Sequence, residues 1–99
     1  TNFSFGCEAD DRFVPMAFDA KTNPNGARLS AMFGSDIGHW DVPDMSRVLV
    51  EAYESVENSR LTLDEFRAFT FENVARFYLE TNRGFFDGTV LESAAARLA

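Results

Sequence analysis

The chain has 99 residues, enough for one small domain with a single core and too few to enclose a large active site. Its net charge of -7 and pI near 4.5 exclude a nucleic-acid-binding surface, which needs clustered Lys and Arg. The lone Cys7 excludes an internal disulfide, and no segment approaches the roughly 20 apolar residues of a membrane span.

Apolar residues make up 45% of the chain, with 11 Phe among them, so the composition is that of a globular protein. So much Phe in so small a domain predicts more apolar surface than the chain can hide, and therefore a partner or missing neighbouring elements. No basic region followed by an apolar run marks a secretory signal, and the expected compartment is a reducing cytoplasm. A first residue of Thr1 is expected to reflect cutting or trimming.

Residues 1–7, TNFSFGC, place Phe3, Phe5 and Cys7 at period two and predict a short strand ending at Gly6 or Cys7. Asp10 or Asp11 is placed to cap a helix over RFVPMAFDAK, with Pro15 in its first turn. Pro24 and Gly26 in TNPNGAR stop that helix. LSAMFGS, residues 29–35, predicts a second, buried strand, because Gly34 and Ser35 end the apolar run. The loop DIGHWD follows.

Met45, Val48, Leu49, Ala52, Tyr53 and Val56 recur at helical spacing, with Pro43 in the first turn and Asp41 and Asp44 at the positive end of the dipole. Thr62 to Glu65 fits a capping box, flanked by Leu61 and Phe66 as a hydrophobic staple. The helix it opens carries Phe66, Phe69, Val74, Phe77 and Tyr78; its apolar stripe shifts near Thr70 to Asn73, giving either one bent helix or two abutting ones. TNRGFFDGTVLE reads as irregular with room for one short strand, and SAAARLA as a terminal helical turn. The fold class is α/β, with two short strands and three to four helices. Two strands cannot supply a sheet that buries so many amphipathic helices, so the strands pair across subunits or the chain is part of a larger fold.

Asp36 ends the second strand after two small residues, and His39 follows three residues on. Carboxylates at the carboxyl ends of α/β strands are a recurrent place for chemistry, an Asp oxygen can ligate zinc, and His39 suits metal binding or proton transfer. The alternative is local: Asp36 and Asp41 make loop hydrogen bonds and cap the next helix, with His39 exposed. Glu8 points into the same cleft if the strands are parallel neighbours. Trp40 either walls a substrate or packs over the loop, and Asn73, polar within an apolar run, is placed to tie its helix to the strand-end loop. Cys7 reads as a small buried hydrophobe. No Walker motif, dinucleotide fingerprint, EF-hand loop or HExxH is present, and no nucleophile elbow accompanies His39.

MFGSDIGHWDVPD resembles the last strand and following loop of the amidohydrolase-related family, the branch of metal-dependent hydrolases and decarboxylases built on a distorted (β/α)8 barrel. LTLDEFRAFTFENVARFYLETNRGFFDGT continues the resemblance, with Asn73 to Tyr78 matching the family's C-terminal helix, and FGCEADD is similar to the end of the penultimate strand in one subgroup. The resemblance implies that residues 1–99 are a single partial domain, the last two strand–helix units and C-terminal helices of a TIM-like barrel. It implies that Asp36 ligates or adjoins a catalytic divalent metal, zinc foremost, and assists proton transfer. His39 matches a loop histidine of the decarboxylase-like branch, although many members have Pro where this chain has Gly38. The family's first-strand His-x-His pair and middle-strand histidines are not in this sequence, so the chain alone is expected to be inactive and to bind no metal tightly. Its parent would act on a small organic acid or amide. An interaction module that forms homo-oligomers through exposed strands and Phe-rich faces is the alternative, and a small domain binding a polar ligand through Asp36, His39 and Trp40 is a third.

Overall fold

The computed structural model describes residues 3–99. It is an α/β arrangement that begins with a βαβ unit: β1 (Ser4–Cys7), α1 (Val14–Phe18) and β2 (Ser30–Phe33). The two strands are parallel neighbours, with Phe5 opposite Ala31 and Cys7 opposite Phe33. Parallel strands require a crossover, and the stretch through α1 supplies it. The predicted first strand is shorter than expected; Thr1 and Asn2 lie outside the described residues.

The helix after β1 is also shorter than the predicted residues 12–21. Neither Asp10 nor Asp11 caps it, because the residue before the first turn is Phe13. Asp11 instead accepts the Phe13 N–H at 2.9 Å through its side chain, a local turn that satisfies a backbone donor just ahead of the helix. Pro15 sits in the first turn, where its missing N–H costs nothing.

α2 runs over Val48–Glu57 and starts later than the apolar spacing suggested. Pro43 and Asp44 remain in the preceding loop, where Asp44 accepts from the Ser46 N–H at 3.0 Å and from its hydroxyl. The acid at the amino end of α2 is therefore Glu51, not Asp41 or Asp44.

α3 (Leu63–Arg67) opens with the expected capping box: the Glu65 N–H donates to Thr62 Oγ1 at 3.1 Å, and the Thr62 N–H to Glu65 Oε2 at 2.9 Å. It continues through a widened π-turn, Ala68–Glu72, into α4 (Asn73–Thr81). The stripe shift near Thr70 is thus one continuous helical stretch with a bulge, and the Thr70 hydroxyl donates to the Phe66 carbonyl at 2.8 Å inside it. Residues 82–91 form turns and hold no strand, and α5 (Glu92–Ala96) is the terminal turn.

One face of the strand pair carries the core. Ala31 packs with Val14, Ala17, Phe18, Leu61 and Phe69, and Cys7 and Phe33 join from the same face. The Phe33 and Phe69 rings meet edge-on with centroids 5.7 Å apart, and Tyr53 and Phe66 do likewise at 5.3 Å, joining α2 to α3. The opposite face presents Ser4, Gly6, Ser30 and Met32. It is open at Gly6, where an added Cβ would find no atom within 4 Å.

Candidate metal centre at the strand ends

Both strands end on the same side of the molecule, so the segments after Cys7 and after Phe33 emerge together. After β2 the chain passes Gly34 and Ser35 and turns sharply. Asp36 adopts a left-handed conformation, φ +52°, which Asp tolerates because its short polar side chain bonds locally. Gly38, at φ +103°, takes a backbone position that a β-carbon would strain. Two successive turns follow: the His39 N–H donates to the Asp36 carbonyl and the Val42 N–H to the His39 carbonyl, each at 3.1 Å.

This coiled loop brings three side chains to one point. Asp36 Oδ2 lies 3.1 Å from His39 Nδ1, and donor atoms of Asp36, His39 and Asp41 all lie within 4.8 Å of one another. The Asp36 side chain is 22% exposed and that of His39 69%, so the group faces solvent from a carboxylate base. Zinc–ligand bonds of about 2.0–2.2 Å put donors on one ion roughly 3–3.5 Å apart. Two carboxylates and an imidazole form an N/O donor set that fits zinc or a harder divalent cation, with positions left for further ligands.

Asp41, expected from the sequence to bond within the loop and cap the next helix, lies with Asp36 and His39 instead. The signal was the spacing of Asp36, His39 and Asp41 through a loop containing Gly38, which curls rather than extends.

Glu8 stands one residue past β1, exposed. The Asp36 carboxylate, then partial desolvation, then Asp41 and Asp10 push its carboxyl above the usual value, with His39 opposing. Glu8 and Asp41 also line a cavity of about 120 Å³ with Asp10, Asp44 and Glu51, and no Lys or Arg faces it. Trp40 is 93% exposed, so it does not pack over the loop. Asn73 reaches β2 itself and not the strand-end loop: its Nδ2 donates to the Ala31 carbonyl at 2.9 Å. Cys7 is half-buried against the core, and burial, followed by the Asp11 charge, raises its thiol pKa.

A larger groove, about 680 Å³, opens at the amino ends of the strands between Ser4, Ser30 and the residues 63–81 helix. Four of its charged residues pair with one another, Arg28 with Glu65 and Arg76 with Glu72, each at 3.4 Å, and Asp64 and Glu80 also line it. No helix among the described residues is long and apolar enough to cross a membrane.

Compared with known proteins, the chain matches no protein-family model, no curated protein and no solved structure.

Proposed function

We propose that this chain is the C-terminal part of a metal-dependent, amidohydrolase-like barrel enzyme of the cytoplasm, and that Asp36, His39 and Asp41 hold a divalent cation at its active-site rim. The observation that carries the reading is the meeting of those three side chains at the carboxyl ends of parallel strands. Zinc is the leading candidate, and when bound it would supply Lewis-acid polarisation of a carbonyl or carboxylate.

Within that site His39 would give its one ring lone pair to the ion beside Asp41, and Asp36, within hydrogen-bond reach of that ring, would assist proton transfer. Glu8 and Trp40 line the approach, Glu8 repelling a second anion unless a cation stands between them and Trp40 offering an apolar wall. The substrate class is a small organic acid or amide, cleaved by hydrolysis or decarboxylation. The open strand face at Gly6 would line the interior of such a barrel, below the carboxyl-end site. Because the remaining histidine ligands would come from other strands, the 99-residue chain is inactive alone.

Terbium titration tests cation binding, since Trp40, the single Trp, sits beside the cluster and sensitises terbium emission only at short range. The expected result is Trp-sensitised emission that zinc competes away, with Asp36→Asn weakening binding by about tenfold or more. Absence of emission, together with no heat of zinc binding at millimolar ion, would refute the reading. For the parentage, a longer chain with an upstream His-x-His should bind metal and turn over substrate; a metal-free, inactive longer protein ends that account.

A second reading is favoured by the exposed Phe3, Phe5 and Phe13 beside β1: the chain as a self-associating module.

A further inference from the structure

Asn73 opens α4, and its bond to the Ala31 carbonyl joins residues 42 apart in sequence. The direction of that carbonyl gives the contact its meaning. Successive residues of a strand aim their backbone groups at opposite edges. The Gly34 N–H donates to the Cys7 carbonyl across the pair, so the groups of Ala31 and Phe33 point to the edge away from β1. Ala31 is 1% exposed, and a buried carbonyl on a sheet edge needs a partner that a third strand normally supplies. Here Asn73 supplies it, while the Ala31 N–H is satisfied locally by the Leu29 carbonyl at 3.1 Å.

Two residues further along β2, the Phe33 ring stands edge-on to Phe69 within the π-turn that immediately precedes Asn73. β2 is therefore pinned twice to one helical stretch, by an amide and by a ring, just before the chain leaves through Gly34 and Ser35 for Asp36.

We infer that Asn73 is a positioning residue for the Asp36–His39–Asp41 loop: together with Phe69 it anchors β2 to the helical stretch behind it, and so sets how closely the three donors converge. The cation-affinity part of this inference rests on the metal-binding reading; the placement of the loop does not.

His39 is the single histidine, so its ring proton resonances report on the loop in metal-free protein. Asn73→Ala should shift or broaden them and weaken terbium binding about three- to tenfold. Thr62→Ala, which removes a helix cap without removing a bond to β2, should leave both unchanged. Asn73→Gln, retaining the donor, should restore part of the effect. In the unsubstituted chain the Asn73 carboxamide protons should exchange slowly with solvent. Unshifted His39 resonances in Asn73→Ala, or fast exchange of that carboxamide should the alanine chain not fold, would overturn the inference. If the unsubstituted chain binds no ion, the metal reading falls and the His39 resonances alone decide this one.

Discussion

Glu8 shows how a single exposed carboxylate is governed by what the fold places across from it. Its raised pKa, caused first by Asp36, means that the folded state favours the neutral acid. The associated stability is present below the unfolded-state pKa and is lost as pH rises through the higher folded value. Glu8→Gln should therefore raise the melting temperature at neutral pH and low salt. The gain should shrink in high salt and fade as pH falls below the unfolded-state value of about 4.3, where the wild-type carboxyl becomes protonated in both states. Thermal melts across pH check this, and a gain that persists in acid would show that charge repulsion is not its source. Asp19 and Asp44 behave oppositely: hydrogen bonds from Thr22 and Ser46 hold their carboxyls low, so their contributions fade as pH falls through those depressed values. Part of this was legible in the sequence, since Asp36 and His39 stood out by residue type. The recruitment of Asp41 was not, because it depends on the left-handed turn at Asp36 and the Gly38 conformation, which side-chain spacing does not encode.

Among the elements, the clearest agreement is the start of α3. Thr62, Glu65 and the apolar flank Leu61 form a local signal that needs no tertiary information, and the capping box is present as read. Thr62→Ala should cost about 1 kcal/mol, lowering the melting temperature by roughly 4–8 °C for a domain of this size. A calorimetric scan measures it, and an unchanged melting temperature would mean that this helix end carries no global stability. Where an element's bounds depart from the periodic pattern, tertiary and loop geometry override it. Met45 continues the apolar spacing of α2 into a segment that Asp44 and Ser46 hold in a turn, so the helix begins at Val48. Parallel pairing of β1 with β2 was only a condition in the sequence, because two short apolar runs carry no information about relative direction; the crossover through α1 decides it. The bulge at Ala68–Glu72 left a trace as a shifted stripe, but Asn73's partner lies on another element, which local pattern cannot name.

At the scale of the whole molecule, the surface is too large for a closed body. The chain exposes 7158 Å², against about 5,700 Å² for a monomer of 11.1 kDa. Its radius of gyration of 14.2 Å and extents of 38 × 34 × 21 Å describe a flattened slab, compared with about 13 Å for a compact domain of equal length. That excess is the physical form of the Phe-rich composition: Phe3, Phe5, Phe13, Phe77 and Phe85 stand exposed, while Phe69 is the only large side chain fully enclosed among the described residues. Phe69→Ala should remove about 3–5 kcal/mol, a large share of the total stability of a small domain. Circular dichroism should then show partial or complete unfolding at room temperature, and a native melt would relocate the core elsewhere. Light scattering over a concentration series should report mass above one chain, and a monomer at every concentration would remove the second functional reading. The edge already occupied at Ala31 limits what such growth can become. Were identical chains to pair through β1, that contact would be isologous and close on itself at two chains, while the Ala31 carbonyl, already engaged by Asn73, would offer a further strand no acceptor.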